Sequence, residues 1–364
     1  MMEGRDALYV YDLSVATERA QSLAALSAVD QAFYAIKANA HPDLLRVVEA
    51  EGLGFECVSW AEVEAVKAAL PGLDERRILF TPNFAPRREY EAAVASSVNL
   101  TLDGRHPLEE WSELFAGRDV WLRFNPDRPR GHHRHVHTAG PKAKFGWPVA
   151  EAEEAAELAR KAGARVVGLH AHAGSGVELV SHWHEIGVVL GGVIHHFPDA
   201  RAINVGGGLG IPKRIGDAPL NLAGLDAALT AFKSDWPGYQ VWMEPGRFVS
   251  AECGVLLARV TQIKHAHGAR FIGLATGMNS LMRPALYDAY HPIVNLSRPD
   301  APDEGLATIV GPICESADAL GLDRDMPDTR EGDILLIANT GAYGRVMATQ
   351  YNMRPPAEEA VLKP

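Results

Sequence analysis

Cysteine is scarce in this chain. Cys57, Cys253 and Cys314 stand far apart with no Cys-x-x-Cys spacing. A disulfide framework and a structural zinc site both need paired cysteines, so neither is expected, and a reducing cytoplasm suits the sequence. Long apolar runs are lacking too. No stretch approaches the ~20 apolar residues of a membrane span, and the segment from Met1 to Tyr11 is short and charged without an apolar signal core. Neither export nor membrane insertion is therefore expected. An excess of positive charge is also missing: 35 Lys and Arg against 46 Asp and Glu leave a formal charge of -11. That balance argues against a nucleic-acid surface and leaves room only for a local basic site facing a small anionic ligand. No internal repeat or low-complexity tract is present.

What is present is a regular alternation. Short apolar or β-rich runs occur at 32–36, 54–58, 77–80, 98–102, 119–124, 166–172, 202–205 and 239–243. Helix-patterned segments lie between them at 41–51, 61–70, 87–95, 108–116, 149–162, 181–196 and 225–232. Eight strands linked by helices predict an α/β protein with a (β/α)8 barrel, with a doubly wound open sheet as the competitor. After Arg247 the texture changes to strands and turns at 248–264, 270–274, 307–310 and 333–338. The expected domains are a barrel over 13–247 and a β-rich domain formed by 1–12 plus 248–364, with the run 7–11 as its N-terminal strand. The segment 125–148 is too long for an ordinary connection and reads as either a functional loop or a lid.

In a barrel, catalytic groups belong at the carboxyl ends of the strands. Lys37 falls at the end of the first run, His172 at the sixth, Gly206, Gly207 and Gly208 at the seventh and Glu244 at the eighth. A lysine at such a mouth can be partly desolvated, which favours the neutral amine that attacks an aldehyde, here pyridoxal phosphate. A packed surface lysine is the bland alternative. The triple glycine can bring backbone N–H groups to an anion. A dinucleotide fingerprint fits less well, because the third glycine is missing and Pro212 follows where a helix should open. Ser175 adds a hydroxyl and His172 a flat ring. A carboxylate such as Glu244 beside a pyridine nitrogen keeps it protonated and makes the ring an electron sink.

Six segments then line up in order: Tyr34-Ala35-Ile36-Lys37-Ala38-Asn39, His172-Ala173-Gly174-Ser175-Gly176, Gly206-Gly207-Gly208, Glu244-Pro245-Gly246-Arg247, Cys314-Glu315-Ser316-Ala317-Asp318 and Gly341-Ala342-Tyr343. Together they resemble the fold-type III pyridoxal-phosphate decarboxylases, and among these the diaminopimelate decarboxylases, from Tyr9 to Pro355. The resemblance implies that Lys37 forms the Schiff base with the cofactor and that His172 stacks on its ring. Ser175, Gly206, Gly207, Gly208 and Tyr343 would hold the phosphate, with Glu244 on the pyridine nitrogen. Arg247, Arg283 and Tyr287 would grip a substrate carboxylate, with Tyr343 also at the substrate. Cys314 and Glu315 would reach the active site of a neighbouring copy, which makes a homodimer with shared sites the expected assembly.

The implied reaction is decarboxylation of meso-2,6-diaminopimelate to L-lysine and carbon dioxide, the last step of lysine biosynthesis. Cys314 or Lys37 would return the proton to Cα. Ornithine, D-lysine or carboxynorspermidine are the alternative substrates, and a glutamate after Cys314 favours diaminopimelate. A racemase of this fold would carry an arginine in place of Glu244, and a non-catalytic cofactor carrier would have no use for the second domain. The short lead before Tyr9 and the turn 81–86 are similar to a decarboxylase module related to an aspartate kinase fusion. No metal is expected: His132, His133, His135 and His137 are too crowded for a defined ligand pair and read as part of a substrate loop.

Overall fold

The computed structural model describes residues 2–126, 130–131 and 143–362, so the four clustered histidines at 132–137 lie outside the described residues. The chain forms two compact units, one of Thr17–Gly210 and Leu220–Phe248, the other of Met1–Ala16, Ile211–Pro219 and Val249–Pro364. Among the described residues no helix is long and apolar enough to cross a membrane.

Strand β1 (Ala7–Tyr11) belongs to the second unit. The barrel unit is built from β2 (Gln31–Ala35), β3 (Gly54–Cys57), β4 (Ile78–Phe80), β5 (Asn99–Leu102), β6 (Asp119–Asn125), β7 (Arg165–His170), β8 (Ala202–Asn204) and β9 (Gln240–Met243). Each pairs in parallel with the next, and β9 pairs with β2 through Trp242↔Gln31 and Met243↔Ala32, which closes the barrel and excludes the open sheet. Burial on both faces explains why these strands read as continuous apolar runs rather than as alternations.

The interior is filled by large side chains. Phe33, Leu79, Trp121, Ala202 and Trp242 form one buried cluster, with the Trp121 and Trp242 ring centroids 4.3 Å apart and Phe33 4.9 Å from Trp242. Their bulk needs room. A Cβ at Gly168 would lie 2.4 Å from the Trp121 ring, so only glycine fits there. A truncation such as Trp121→Ala costs on the order of 3–5 kcal/mol in a packed core.

Helices follow the strands at Pro42–Ala50, Trp60–Ala69, Arg87–Val94, Arg105–Glu110, Ala152–Lys161, Ser181–Val193 and Leu222–Asp235. Their starts are chemically marked. Ser59 Oγ accepts from Glu62 N–H at 3.3 Å while Glu62 Oε2 accepts from Val58 N–H at 2.6 Å, and Asn221 Oδ1 accepts from Gly224 N–H at 2.9 Å.

The helix expected at 108–116 begins earlier, at Arg105, and gives way to a tight turn at Ser112–Leu114. Pro107 falls in the first turn of this helix, where its missing N–H costs nothing. A further helix, Leu13–Ala24, was not expected; Asp12 Oδ1 accepts from Ser14 N–H at 3.0 Å at its start.

The second unit holds a mixed sheet of β10 (Gly254–Ala266), β11 (Ala269–Leu274), β12 (Ile293–Asn295), β13 (Asp303–Val310), β14 (Ala319–Pro327) and β15 (Ile334–Ile337), in the order β12-β15-β10-β11-β13-β14. β1 pairs antiparallel with β10 and parallel with β16 (Glu358–Val361). The strand expected from Phe248 begins instead at Gly254, because Arg247–Ser250 forms a short helix despite its aromatic and β-branched content. Local propensity is a weak signal beside tertiary context.

Candidate active site

Strand β2 ends at Ala35, whose N–H donates to Pro245 O at 3.1 Å, and one tight turn, Ile36–Ala38, carries Lys37 outward. Lys37 lies two residues beyond the strand rather than at its last position. Its Nζ pairs with Oε2 of Glu56, whose side chain is only 2% exposed, and Thr81 Oγ1 donates to the other oxygen, Oε1. A buried carboxylate therefore stands beside the amine and offers its proton a place to go.

The turn after β8 is built for glycine. Gly206 and Gly208 adopt φ of 72° and 89°. A Cβ would lie 2.5 Å from Ala171 O at Gly206, 1.9 Å from Glu244 O at Gly207 and 2.3 Å from Gly174 O at Gly208. Two of the three amides are already engaged. Gly206 N–H donates to Asn204 Oδ1 at 2.9 Å and Gly207 N–H to His172 Nδ1 at 3.1 Å, while Gly207 O accepts from Trp183 Nε1 at 3.0 Å. Gly208 N–H has no partner among the described residues and is the amide left for an anion.

Glu244 follows β9 directly and is buried. Burial by itself would raise its carboxyl, but the facing His170, with Lys37 and His172 nearby, outweighs it and holds Glu244 below the usual carboxylate range. Asn204 Nδ2 donates to Glu244 Oε1 at 2.8 Å. His170 Nε2 lies 3.2 Å from Glu244 Oε2, out of line for a hydrogen bond.

His172 comes two residues after the end of β7 at His170, so it sits on the rim loop rather than in the strand. Burial first, then the positive charges of Arg123 and Lys37, push its imidazole down to about 3. Accepting at Nδ1 from Gly207 sets the tautomer with the proton on Nε2. The ring is flat and uncharged. Ser175 Oγ accepts from Arg247 Nη2 at 2.9 Å.

The remaining candidates belong to the other unit. Arg283 opens the short helix Arg283–Tyr287, and its buried guanidinium has Nη1 3.1 Å from His291 Nε2. His291 Nδ1 lies 2.8 Å from Ala338 O, so Nδ1 carries the proton and Nε2 accepts from Arg283. Tyr287 is at the end of that helix, and Tyr343 takes the left-handed backbone at φ 57°. Cys314 and Glu315 are exposed. Their turn is fixed from within by Asp318, which accepts from Met278 N–H at 2.6 Å and Ile313 N–H at 2.7 Å, and Cys314 N–H donates to Asn352 Oδ1 at 2.6 Å.

Glu56, Asn204, His170 and Arg123 escaped the reading of the sequence. Arg123 is buried in β6, 3.3 Å from Asp103 Oδ1, with its guanidinium 4.5 Å above the Phe145 ring. A signal was there: each is a polar residue inside an apolar strand run, where an unpaired polar group would be costly.

The chain is also similar to known proteins. Residues 14–251 match the family model for the pyridoxal-binding domain of pyridoxal-dependent decarboxylases. The diaminopimelate decarboxylase of Methanothermobacter thermautotrophicus is 38% identical over 345 residues, covering 91% of this chain and 80% of the relative. That of Archaeoglobus fulgidus is 34% identical over 342 residues, covering 90% and 81%. Among solved structures, Helicobacter pylori diaminopimelate decarboxylase complexed with L-lysine gives a TM-score of 0.89 at 27% identity, over 99% of this chain and 92% of that one.

Proposed function

The chain belongs to the diaminopimelate decarboxylases, a branch of the pyridoxal-dependent decarboxylases, and from that premise we propose that it releases carbon dioxide from meso-2,6-diaminopimelate and leaves L-lysine, closing lysine biosynthesis. The barrel residues fit pyridoxal 5'-phosphate. An amine with an acid beside it suits the aldehyde, a buried anionic carboxylate suits a protonated ring nitrogen, and three glycines whose Cβ atoms would collide with backbone leave a close-approach cradle for the phosphate. Lys37 would hold the aldehyde carbon, Glu244 the ring nitrogen, and His172 one face of the ring. Gly206, Gly207 and Gly208 would form the cradle, with the Gly208 N–H and the Ser175 hydroxyl for the phosphate, and Tyr343 is a further phosphate residue that the family resemblance implies. The bond from Arg247 to Ser175 supports moving that arginine from the substrate carboxylate to the phosphate. When bound, the cofactor supplies a sink for the electron pair left on Cα as carbon dioxide departs.

The observation that carries this chemistry is the buried Glu244 carboxylate just after β9, bonded by Asn204 and faced by His170. An anion there keeps a ring nitrogen protonated, whereas an arginine would leave it neutral and the sink weak. Glu56 takes or returns the Lys37 proton. Arg283, oriented by His291, binds a carboxylate by charge and by its planar fork, with Tyr287 on the same short helix. Cys314 and Glu315 stand exposed on a turn that Asp318 makes rigid, which supports reading them as groups offered to a second copy. In that homodimer Glu315 faces the distal ammonium, and Cys314 or Lys37 returns the proton to Cα. Carbon dioxide release from meso-diaminopimelate, L-lysine and L-ornithine, measured in parallel, tests the assignment. Release from diaminopimelate alone is expected, and turnover of ornithine without diaminopimelate would overturn it.

A further inference from the structure

Asn204 is the last residue of β8 and is fully buried. Its one planar amide joins two parts of the site: Oδ1 accepts from Gly206 N–H at 2.9 Å, and Nδ2 donates to Glu244 Oε1 at 2.8 Å. The backbone repeats the link, since Glu244 N–H donates to Gly206 O at 2.9 Å. Few side chains can do this. A flipped amide would set N–H against N–H and carbonyl against carboxylate, so the network allows only one orientation. Leucine would leave both partners unsatisfied in a buried place, and aspartate would keep the acceptor but set a second carboxylate against Glu244.

We propose that Asn204 is a positioning residue that locks the Glu244 carboxylate to the glycine turn, so that the groups for the cofactor's ring nitrogen and for its phosphate are held by one side chain. The inference rests on the cofactor assignment above. His170, on the far side of the same carboxylate, leaves Oε1 to Asn204 alone. The amide thus fixes one oxygen of Glu244 while His170 faces the other. Asn204 acts through Glu244 and Gly206, not on substrate.

The test compares wild-type protein with Asn204→Leu and Asn204→Asp. Each apo-protein is titrated with pyridoxal 5'-phosphate labelled with nitrogen-15 in the ring, and the ring-nitrogen resonance of the bound cofactor is read by NMR. Losing a hydrogen bond to a charged group corresponds to about a 10- to 100-fold effect. A weakening of cofactor binding by about that factor is expected for Asn204→Leu, with its ring-nitrogen resonance moved toward the unprotonated position and kcat falling while KM holds within about threefold. Asn204→Asp, which is isosteric and keeps the Gly206 bond, should also move the resonance and weaken cofactor binding, because a second carboxylate then faces Glu244. It also serves as the readout if Asn204→Leu does not fold. Wild-type affinity and resonance in the folded variants would overturn the proposal. Failure of wild-type protein to bind the cofactor would instead overturn the assignment beneath it.

Discussion

The two units present their polar groups in opposite ways. In the barrel unit Glu56 and Glu244 are buried, Glu56 bonded on its two oxygens by Lys37 and Thr81, and Glu244 bonded by Asn204 on one oxygen with His170 facing the other. In the other unit Cys314 and Glu315 stand exposed above a buried frame, Asp318. Burial keeps a charge where it is put and strengthens its field, at the cost of desolvation that partners must offset. Groups for a resident cofactor can be arranged this way once and for all. On the proposed reading, Cys314 and Glu315 would serve a substrate that comes and goes, and their exposure on a stiff turn suits that.

The sharpest way to break the buried side is Lys37→Ala. Carbon dioxide release should fall by about 10^3-fold or more, together with the long-wavelength absorbance of the cofactor-loaded protein. Retained absorbance would mean that another amine holds the cofactor.

The exposed side is tested by mixing. Lys37→Ala and Cys314→Ala proteins, each crippled alone, are unfolded together and refolded as mixed dimers. If the site draws on two copies, activity should return to about one quarter of wild type, since half of the dimers would carry one intact site of two. Absence of any recovery would place Cys314 outside the partner's site.

A smaller effect sharpens the contrast through pH. The His172 imidazole is pushed down to about 3 by burial, aided by Arg123 and Lys37, so on acidification the unfolded chain takes up its proton first, near the ordinary 6.5. Folded stability contributed by this group is therefore full above about pH 6.5 and declines as pH falls toward 3. Glu244, held below its ordinary range, adds loss in the same direction at lower pH. The thermal midpoint of apo-protein should drop from pH 7 to 4.5, and His172→Gln should flatten that drop by about a few degrees. Parallel curves would show that His172 does not titrate as a buried neutral ring.

Much of this was legible in the chain. The eight barrel strands appear as apolar runs because both faces of each are buried, and Lys37, the triple glycine and Glu244 stood out because each begins within two residues of a strand end. Strand β16 was not, since Glu358-Glu359 reads as solvated surface and pairs only because β1 is there to meet it. Local pattern can place a lysine at a barrel mouth. It cannot say that Glu56 will pair with it, that Arg247 will reach back 72 residues to Ser175, or which way the Asn204 amide will point. Composition and periodicity by themselves determined the alternating α/β plan and the chemical types at the strand ends, because burial and backbone geometry act over a few neighbouring residues. Only the closed barrel decided the partners, because hydrogen bonds and ion pairs form between groups that the chain separates and the fold brings within 3 Å or so.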